Sequence, residues 1–421
     1  MTHPVILESP PKAPVGEDPA HISTSAFRVE LKKWIDRYLG IALHVLLHAV
    51  CVSASPFLPA RPVTQIRRIA LVKLWGIGNL AMILPYVRAV RSRFPKAEIV
   101  FLTLDRNRAL VEGCTGVDRV FTVADQGLWR PLLDMLRLIV RLRRQRVDLY
   151  LDFEQFLRVT GIWARLGGVR QAIGFDTPHQ HRALLYHARV PYRDDRHMSE
   201  VFGDIVRSAG VVALHLPPFV VPRRPDAARR ARELLAGAGS RPWIVLHPGS
   251  GDNFPGRRWP VERFARAACD LHARIGGMMV LTGTKEERAV LEALRQPLQQ
   301  HGVPVLDLCG VADVCTLVEL LSSCDLLISN DTGPVHLASA VGTPVVALYG
   351  PNTPFLYGPL GLHSRAIDHR LPCSPCLNNL SGKSSDCRYP ACILAIEVDE
   401  VVDAAVQVLA SVRHASGEVV S

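Results

Sequence analysis

Apolar residues fall in short unbroken runs, separated by glycine turns and by stretches of helical spacing. Ile69 to Leu74 is such a run, broken only by Lys73, and a continuous apolar run marks a strand buried on both faces of a parallel sheet. Gly76 and Gly78 follow, then helical spacing from Leu80 to Phe94 that stops at Pro95. Glu98 to Leu104, Arg119 to Val123 and Leu149 to Asp152 read as further strands, and Leu132 to Arg146 as a basic amphipathic helix. Such alternation of strand and helix predicts an α/β fold, a parallel sheet with helices on both faces.

The theme repeats after an Arg- and Ala-rich stretch, Pro222 to Ser240, which reads as an interdomain helix and linker. Trp243 to His247, Met278 to Thr282, Val305 to Leu308, Leu326 to Ser329 and Val345 to Tyr349 read as strands, with a helix at Val261 to Ile275 among the intervening ones. The expected division is a first domain over 61–222, a linker over 223–240 and a second domain over 241–413. Two such halves leave a cleft between the carboxyl ends of their strands, where ligands of open parallel sheets bind.

The beginning of the chain has another texture. Residues 1–30, with Pro10, Pro11, Pro14 and Pro19, read as a disordered leader without an export signal. Residues 31–60 read as an amphipathic helix. Gly40, His44 and His48 fall on one face; Leu31, Trp34, Tyr38, Leu46 and Val50 fall mostly on the other. A basic start and interfacial aromatics suit a helix lying on a membrane; packing on the protein's own body and spanning the bilayer are the alternatives.

Composition narrows the partners. The chain has 421 residues, too many for one compact core and about right for two domains. Its net charge of +10 suits an anionic partner: phosphate groups, nucleic acid or an anionic membrane surface. Ten cysteines in a chain of this length are no disulfide scaffold. Four of them, Cys373, Cys376, Cys387 and Cys392, gather in a loop over 373–392 whose spacing fits a structural zinc site, a disulfide or free thiols.

Three stretches carry candidate chemistry. Gly76-Ile77-Gly78-Asn79-Leu80-Ala81 matches a dinucleotide-binding turn after a strand, which makes a nicotinamide-dependent oxidoreductase a competing reading. Ser329 to His336 ends a strand and opens a helix, with Asp331 or Thr332 as the cap and Pro334 in the first turn. Gly333 would let a ligand approach the backbone, and the helix start offers N–H groups to a phosphate. The small residues of His247 to Gly251, Ser250 among them, reach the same edge, with Arg257 and Arg258 supplying cations nearby.

Taken together, Lys73 to Pro85, His247 to Gly251 with Arg257 to Pro260, Ser329 to Ala338, and Gly342 to Pro351 resemble glycosyltransferase family nine, the lipopolysaccharide heptosyltransferases and their relatives. The resemblance covers about Arg67 to Ala405. It implies two Rossmann-like doubly wound domains in the GT-B arrangement. It also implies inverting transfer of a sugar from a nucleotide diphosphate donor of the ADP-heptose type to a lipid-linked glycan acceptor. Asp331, Thr332, Gly333 and His336 would then meet the diphosphate or its sugar. Ser250 and Arg257 would contact phosphate, and Glu286 or Glu287 would approach the ribose. Gly76 and Gly78 would form the acceptor-side turn. No cofactor is implied for the chemistry, and no nucleic acid; the inner face of the cytoplasmic membrane is the expected location.

One position departs from the family pattern. The family carries an aspartate, the general base, where this chain has Asn79, and an amide cannot take a hydroxyl proton at neutral pH. Asp152 and Glu154, after the fourth strand, are the expected replacements, with Asp105 behind them. A related transferase with a different acceptor, and loss of catalysis that leaves a sugar-nucleotide-binding protein, are the other outcomes.

Overall fold

The computed structural model describes residues 36, 38, 40–50, 65–125, 127, 129–212, 221–251, 254–377, 380 and 385–416. The expected leader over 1–30 and much of 31–60 lie outside the described residues.

Two six-stranded parallel sheets form the frame. The first contains β1 (Arg68–Val72), β2 (Glu98–Leu104), β3 (Arg119–Val123), β4 (Leu149–Asp152), β5 (Gln171–Asp176) and β6 (Ala188–Pro191), in the order β3-β2-β1-β4-β5-β6. The second contains β7 (Trp243–His247), β8 (Met278–Leu281), β9 (Val305–Asp307), β10 (Leu326–Asn330), β11 (Val345–Tyr349) and β12 (Ser364–Asp368), in the order β12-β11-β10-β7-β8-β9. Both are the doubly wound order, whose chain direction reverses between the first and fourth strands. The reversals, β1 beside β4 and β7 beside β10, are where the two candidate site regions sit.

A helix over residues 40–50, α1, precedes the first sheet. The helices of that half are α2 (Ile77–Arg93), α3 (Arg108–Val111), α4 (Trp129–Gln145), α5 (Val159–Leu166) and α6 (Met198–Ser208). The linker stretch folds as α7 (Pro225–Leu235), opened by proline at the first turn. The second half adds α8 (Val261–Ile275), α9 (Arg288–Gln300), α10 (Val314–Ser323), α11 (Gly333–Val341), α12 (Pro354–Tyr357), α13 (Ala391–Leu394) and α14 (Val398–Ser416).

The continuous apolar runs are the strands expected from them, because every residue of β4, β8, β10 and β11 is buried. Three strands escape the pattern. β5 carries Gly174, β6 is short and ends in Pro191, and β12 is an edge strand with Arg365 exposed. The cysteine loop therefore follows β12, not β11.

The halves are packed together. A single apolar cluster includes Leu80 and Val87 of α2 and Val335 and Leu337 of α11. The two helices meet at their starts. A Cβ on Gly78 would lie 2.3 Å from His336 Cδ2, and one on Gly333 would lie 2.2 Å from Ile77 Cγ2. Both distances are shorter than any real contact, so glycine is required at each by the approach of the other half.

α1 packs in the reverse of the usual sense. Its polar face turns inward: Asp36 pairs with Arg158 at 3.3 Å, buried His44 lies over Gly161, and the His48 ring bonds the Leu184 carbonyl at 3.0 Å. Tyr38, Val45, Leu46 and Val50 point outward and are exposed. Among the described residues no helix is long and apolar enough to cross a membrane.

Candidate functional site

In the second half, one side chain ties the loops of the reversal point together. Asn330 ends β10; its Oδ1 accepts from the Trp259 backbone N–H at 3.0 Å and its Nδ2 donates to the Pro248 carbonyl at 2.7 Å. Trp259 is buried and its indole donates to the Ile396 carbonyl at 3.0 Å. These bonds hold the β7 loop against the arginine pair that precedes Trp259.

Arg257 ends a short 3₁₀ turn, Pro255–Arg257. Its guanidinium donates to the Asp331 carbonyl at 3.1 Å and to the Ser250 carbonyl, and its buried Nε has no partner among the described residues. Burial pulls its pKa below the ordinary value, with Asp331 opposing. A half-buried cation bonded to carbonyl oxygens, with its one carboxylate partner, Asp331, held at 3.9 Å, has room for the further counter-charge that an incoming anion would supply. Arg258 donates to Ser250 Oγ at 3.2 Å and to the Gly251 carbonyl at 3.3 Å, so Ser250 lies between two arginines.

Asp331 is set from two sides. Its N–H donates to the Leu348 carbonyl at 3.0 Å, and its carboxylate accepts from Asn352 Nδ2 at 2.7 Å. Asn352 Oδ1 is buried without a partner among the described residues. Thr332 is the residue that caps α11, in extended backbone (φ −146°), but its side chain makes no capping bond. The expected side-chain cap is thus absent: Pro334 has no N–H, the Val335 N–H donates to the Thr332 carbonyl at 3.2 Å, and the Gly333 N–H is the first-turn donor left for another acceptor.

The two glutamates differ. Glu287 is buried; it closes a capping box with Thr284 and accepts from the Gly251 N–H at 3.3 Å. A Cβ on Gly249 would fall 2.0 Å from its Oε1. Glu286 is exposed. His336 is buried at the seam between the halves, with its ring against Gly78 of the acceptor-side turn. Gly76 holds the positive φ (86°) that the turn requires, just before half-buried Asn79.

In the first half the two favoured carboxylates are structural. Glu154 is fully buried. Its Oε2 pairs with Lys73 Nζ at 3.1 Å, and its Oε1 accepts from the N–H groups of Leu74 and Trp75 at 2.6 and 3.0 Å. Asp152 is also fully buried, bonded to Arg182 at 3.2 Å, to the Tyr186 hydroxyl and to the Glu154 N–H. Burial pushes the Asp152 pKa up, with Arg182 opposing. The expectation that these two face the cleft is therefore corrected: they hold the β1 turn and the β4 end in place. Asp105 follows β2 at the same edge. Its side chain is 36% exposed and meets Arg130, the second residue of α4, at 3.3 Å.

The four cysteines of the loop differ in their surroundings. Cys373 is exposed, Cys376 and Cys387 are half-buried, Cys392 is buried in α13, and all four are free thiols. No three metal-binding side chains converge among the described residues. Burial holds the Cys392 thiol above its ordinary range, with Cys376 and Cys387 adding to the effect.

Asn330, Asn352, Lys73 and Arg182 were missed by the sequence reading. Their partners lie 21 to 82 residues away, and no local pattern announces such pairing.

Two Rossmann-like domains meeting along a cleft, with the loops of both reversal points at one seam, define the GT-B arrangement. The model of glycosyltransferase family 9 (heptosyltransferase) matches residues 135–384, and the chain belongs to that family. It is 31% identical over 186 residues to lipooligosaccharide heptosyltransferase 2 of Haemophilus ducreyi, which covers 44% of this chain and 52% of the relative. The chain spans about half the length of the relatives of that name that it matches. Lipopolysaccharide heptosyltransferase 1 of Pseudomonas aeruginosa is 26% identical and aligns over 74% of this chain and 86% of its own. The fold is shared with a structure described as E. coli ADP-heptose lps heptosyltransferase II: TM-score 0.67, 20% identity, 83% of this chain and 100% of that one.

Proposed function

We propose that the protein is an inverting glycosyltransferase that moves a heptose-like sugar from a nucleoside diphosphate to a lipid-linked glycan such as lipopolysaccharide. The observation that carries the reading is half-buried Arg257, whose enclosed Nε has no partner among the described residues, beside Ser250 and the start of α11, which lacks a side-chain cap. A diphosphate there meets a guanidinium and the Gly333 N–H at the helix start, which stabilise it as it leaves. The ADP-heptose in the name of the E. coli structure supports an adenine nucleotide. Exposed Glu286 is then the ribose contact, since Glu287 is spent on its loop.

The acceptor hydroxyl oxygen attacks the anomeric carbon from the first half. The bond from that carbon to the diphosphate oxygen breaks, its electron pair stays on the diphosphate, and the hydroxyl proton passes to a base. Asp105 takes that role, because Asn79 cannot and Asp152 and Glu154 are enclosed. The reaction belongs at the inner face of the cytoplasmic membrane, where a nucleotide sugar and a lipid-linked acceptor meet.

Turnover of ADP-heptose on a lipid-linked acceptor, with calorimetry of ADP and UDP, tests this. Asp105→Asn should lower turnover by about 10²–10⁴-fold with ADP affinity unchanged; full activity in that variant removes Asp105. Asn79 and the enclosure of the other two carboxylates favour a second reading, a nucleotide-sugar-binding protein without turnover. Its signature is nucleotide binding in the wild type and activity only in Asn79→Asp.

A further inference from the structure

We infer that α4 and α1 together form a face that docks on an anionic lipid bilayer, with α4 as its main contact. The inference stands apart from the transfer reaction.

α4 has three sides. Leu138 and Leu142 are buried against the first sheet. Trp129, Leu132, Leu133, Leu136 and Val140 follow one another at helical spacing on the opposite side, and each is 45 to 71% exposed. Arg130, Arg137, Arg141 and Arg144 run along the flank of that stripe, and all are exposed. The helix carries five arginines against one acid, Asp134. An outward apolar stripe bordered by a cationic row, with an aromatic at its end, is the pattern of a helix that lies in the headgroup region of a membrane. The arginines give the charge complement to anionic headgroups.

A second helix packed on α5 repeats the arrangement. α4 packs on the end of α5, where Leu142 meets Gly167 and Arg143 Nε donates to the Leu166 carbonyl at 2.6 Å. α1 packs on the start of α5, where Asp36 accepts from the Arg158 and Val159 N–H groups at 3.0 and 3.2 Å. With its polar face spent on the protein, α1 presents Tyr38, Val45, Leu46 and Val50, each 51 to 60% exposed. Two helices packed on the two ends of α5 thus aim apolar residues away from the body, against the pattern that water imposes on a surface helix. The α4 start also reaches Asp105 through Arg130, so the docked face adjoins the first-half edge of the cleft.

Vesicle flotation with the full chain, on phosphatidylcholine alone and with one third phosphatidylglycerol, tests the inference. The wild type should float with the anionic vesicles only, and the Trp129 emission should shift to the blue, a shift lost in Trp129→Phe. Leu133→Glu/Leu136→Glu should abolish flotation while leaving the melting temperature and nucleotide binding unchanged. Arg137→Glu/Arg144→Glu should weaken it, by about fivefold for each arginine lost. Four outcomes overturn the inference. They are flotation kept in the leucine variant; flotation lost only through Leu46→Glu, which moves the contact to α1; unfolding of the leucine variant, which means the chain itself covers the stripe; and a wild-type dimer that Leu133→Glu/Leu136→Glu dissolves without any vesicle binding, which makes the stripe a contact between copies.

Discussion

At the scale of single residues, the same chemical group serves opposite ends according to what surrounds it. Glu154 and Asp105 both follow strands at the cleft edge, yet Glu154 is enclosed with Lys73 and two backbone donors while Asp105 is partly open. Removing one charge of a buried pair leaves the other uncompensated. Glu154→Gln should therefore cost about 3–5 kcal/mol of stability, read as a lower midpoint in urea, with the loss of activity following the loss of folded protein. Arg257 is the contrary case, a half-buried cation whose Nε has no partner among the described residues. One charge-assisted bond is worth about 1.5–3 kcal/mol, so Arg257→Ala should weaken nucleoside diphosphate binding by roughly ten- to a hundredfold. Calorimetry giving wild-type affinity would move the diphosphate elsewhere.

At the scale of elements, α1 shows how a helix is held by buried polar groups. His44 donates from its ring to the Gly40 carbonyl at 2.9 Å, and burial, with Arg182 and Arg158 near, pulls its pKa down to about 4. The released helix would return to an ordinary value near 6.5. Above that pH both states are neutral and docking has its full strength. As pH falls towards 4 the released state takes up a proton that the docked one refuses, and docking loses up to about 3 kcal/mol. Protection of the amides along 40–50, taken relative to the intrinsic exchange rate at each pH, should fall over that window in the wild type and stay flat in His44→Asn. An unchanged wild-type profile would mean the ring is already solvated.

At the scale of the whole molecule, the seam between the halves is decided by glycine. α2 and α11 approach until Gly78 touches His336 and Gly333 touches Ile77. Gly78→Ala should cost about 1–3 kcal/mol through overpacking. His336→Ala in the same chain should restore part of it, because the ring is what the methyl meets. Thermal melts that give additive losses would show the two residues uncoupled. The seam also sets the site, since the donor-side helix start and the first-half turn belong to the same contact.

The sequence by itself determined the two sheets, because strands buried on both faces must be written in apolar residues and leave a visible run. It determined β2, β3, β4, β7 and β11 to the residue. It also determined the neighbourhood of Ser250, Arg257 and Asp331, since glycines and prolines at strand-to-helix corners are local signals. What it could not determine depends on residues far apart in the chain. Whether Asp152 and Glu154 open to the cleft or close on Arg182 and Lys73 is settled by partners up to 81 residues away. So is which face of α1 turns inward: its apolar residues invite a packed helix, but Arg158, Gly161 and Leu184 lie waiting for its polar side. Periodicity states that a helix has two faces; only the surface it meets, through charge pairing and the cost of leaving polar groups dry, decides which one is buried.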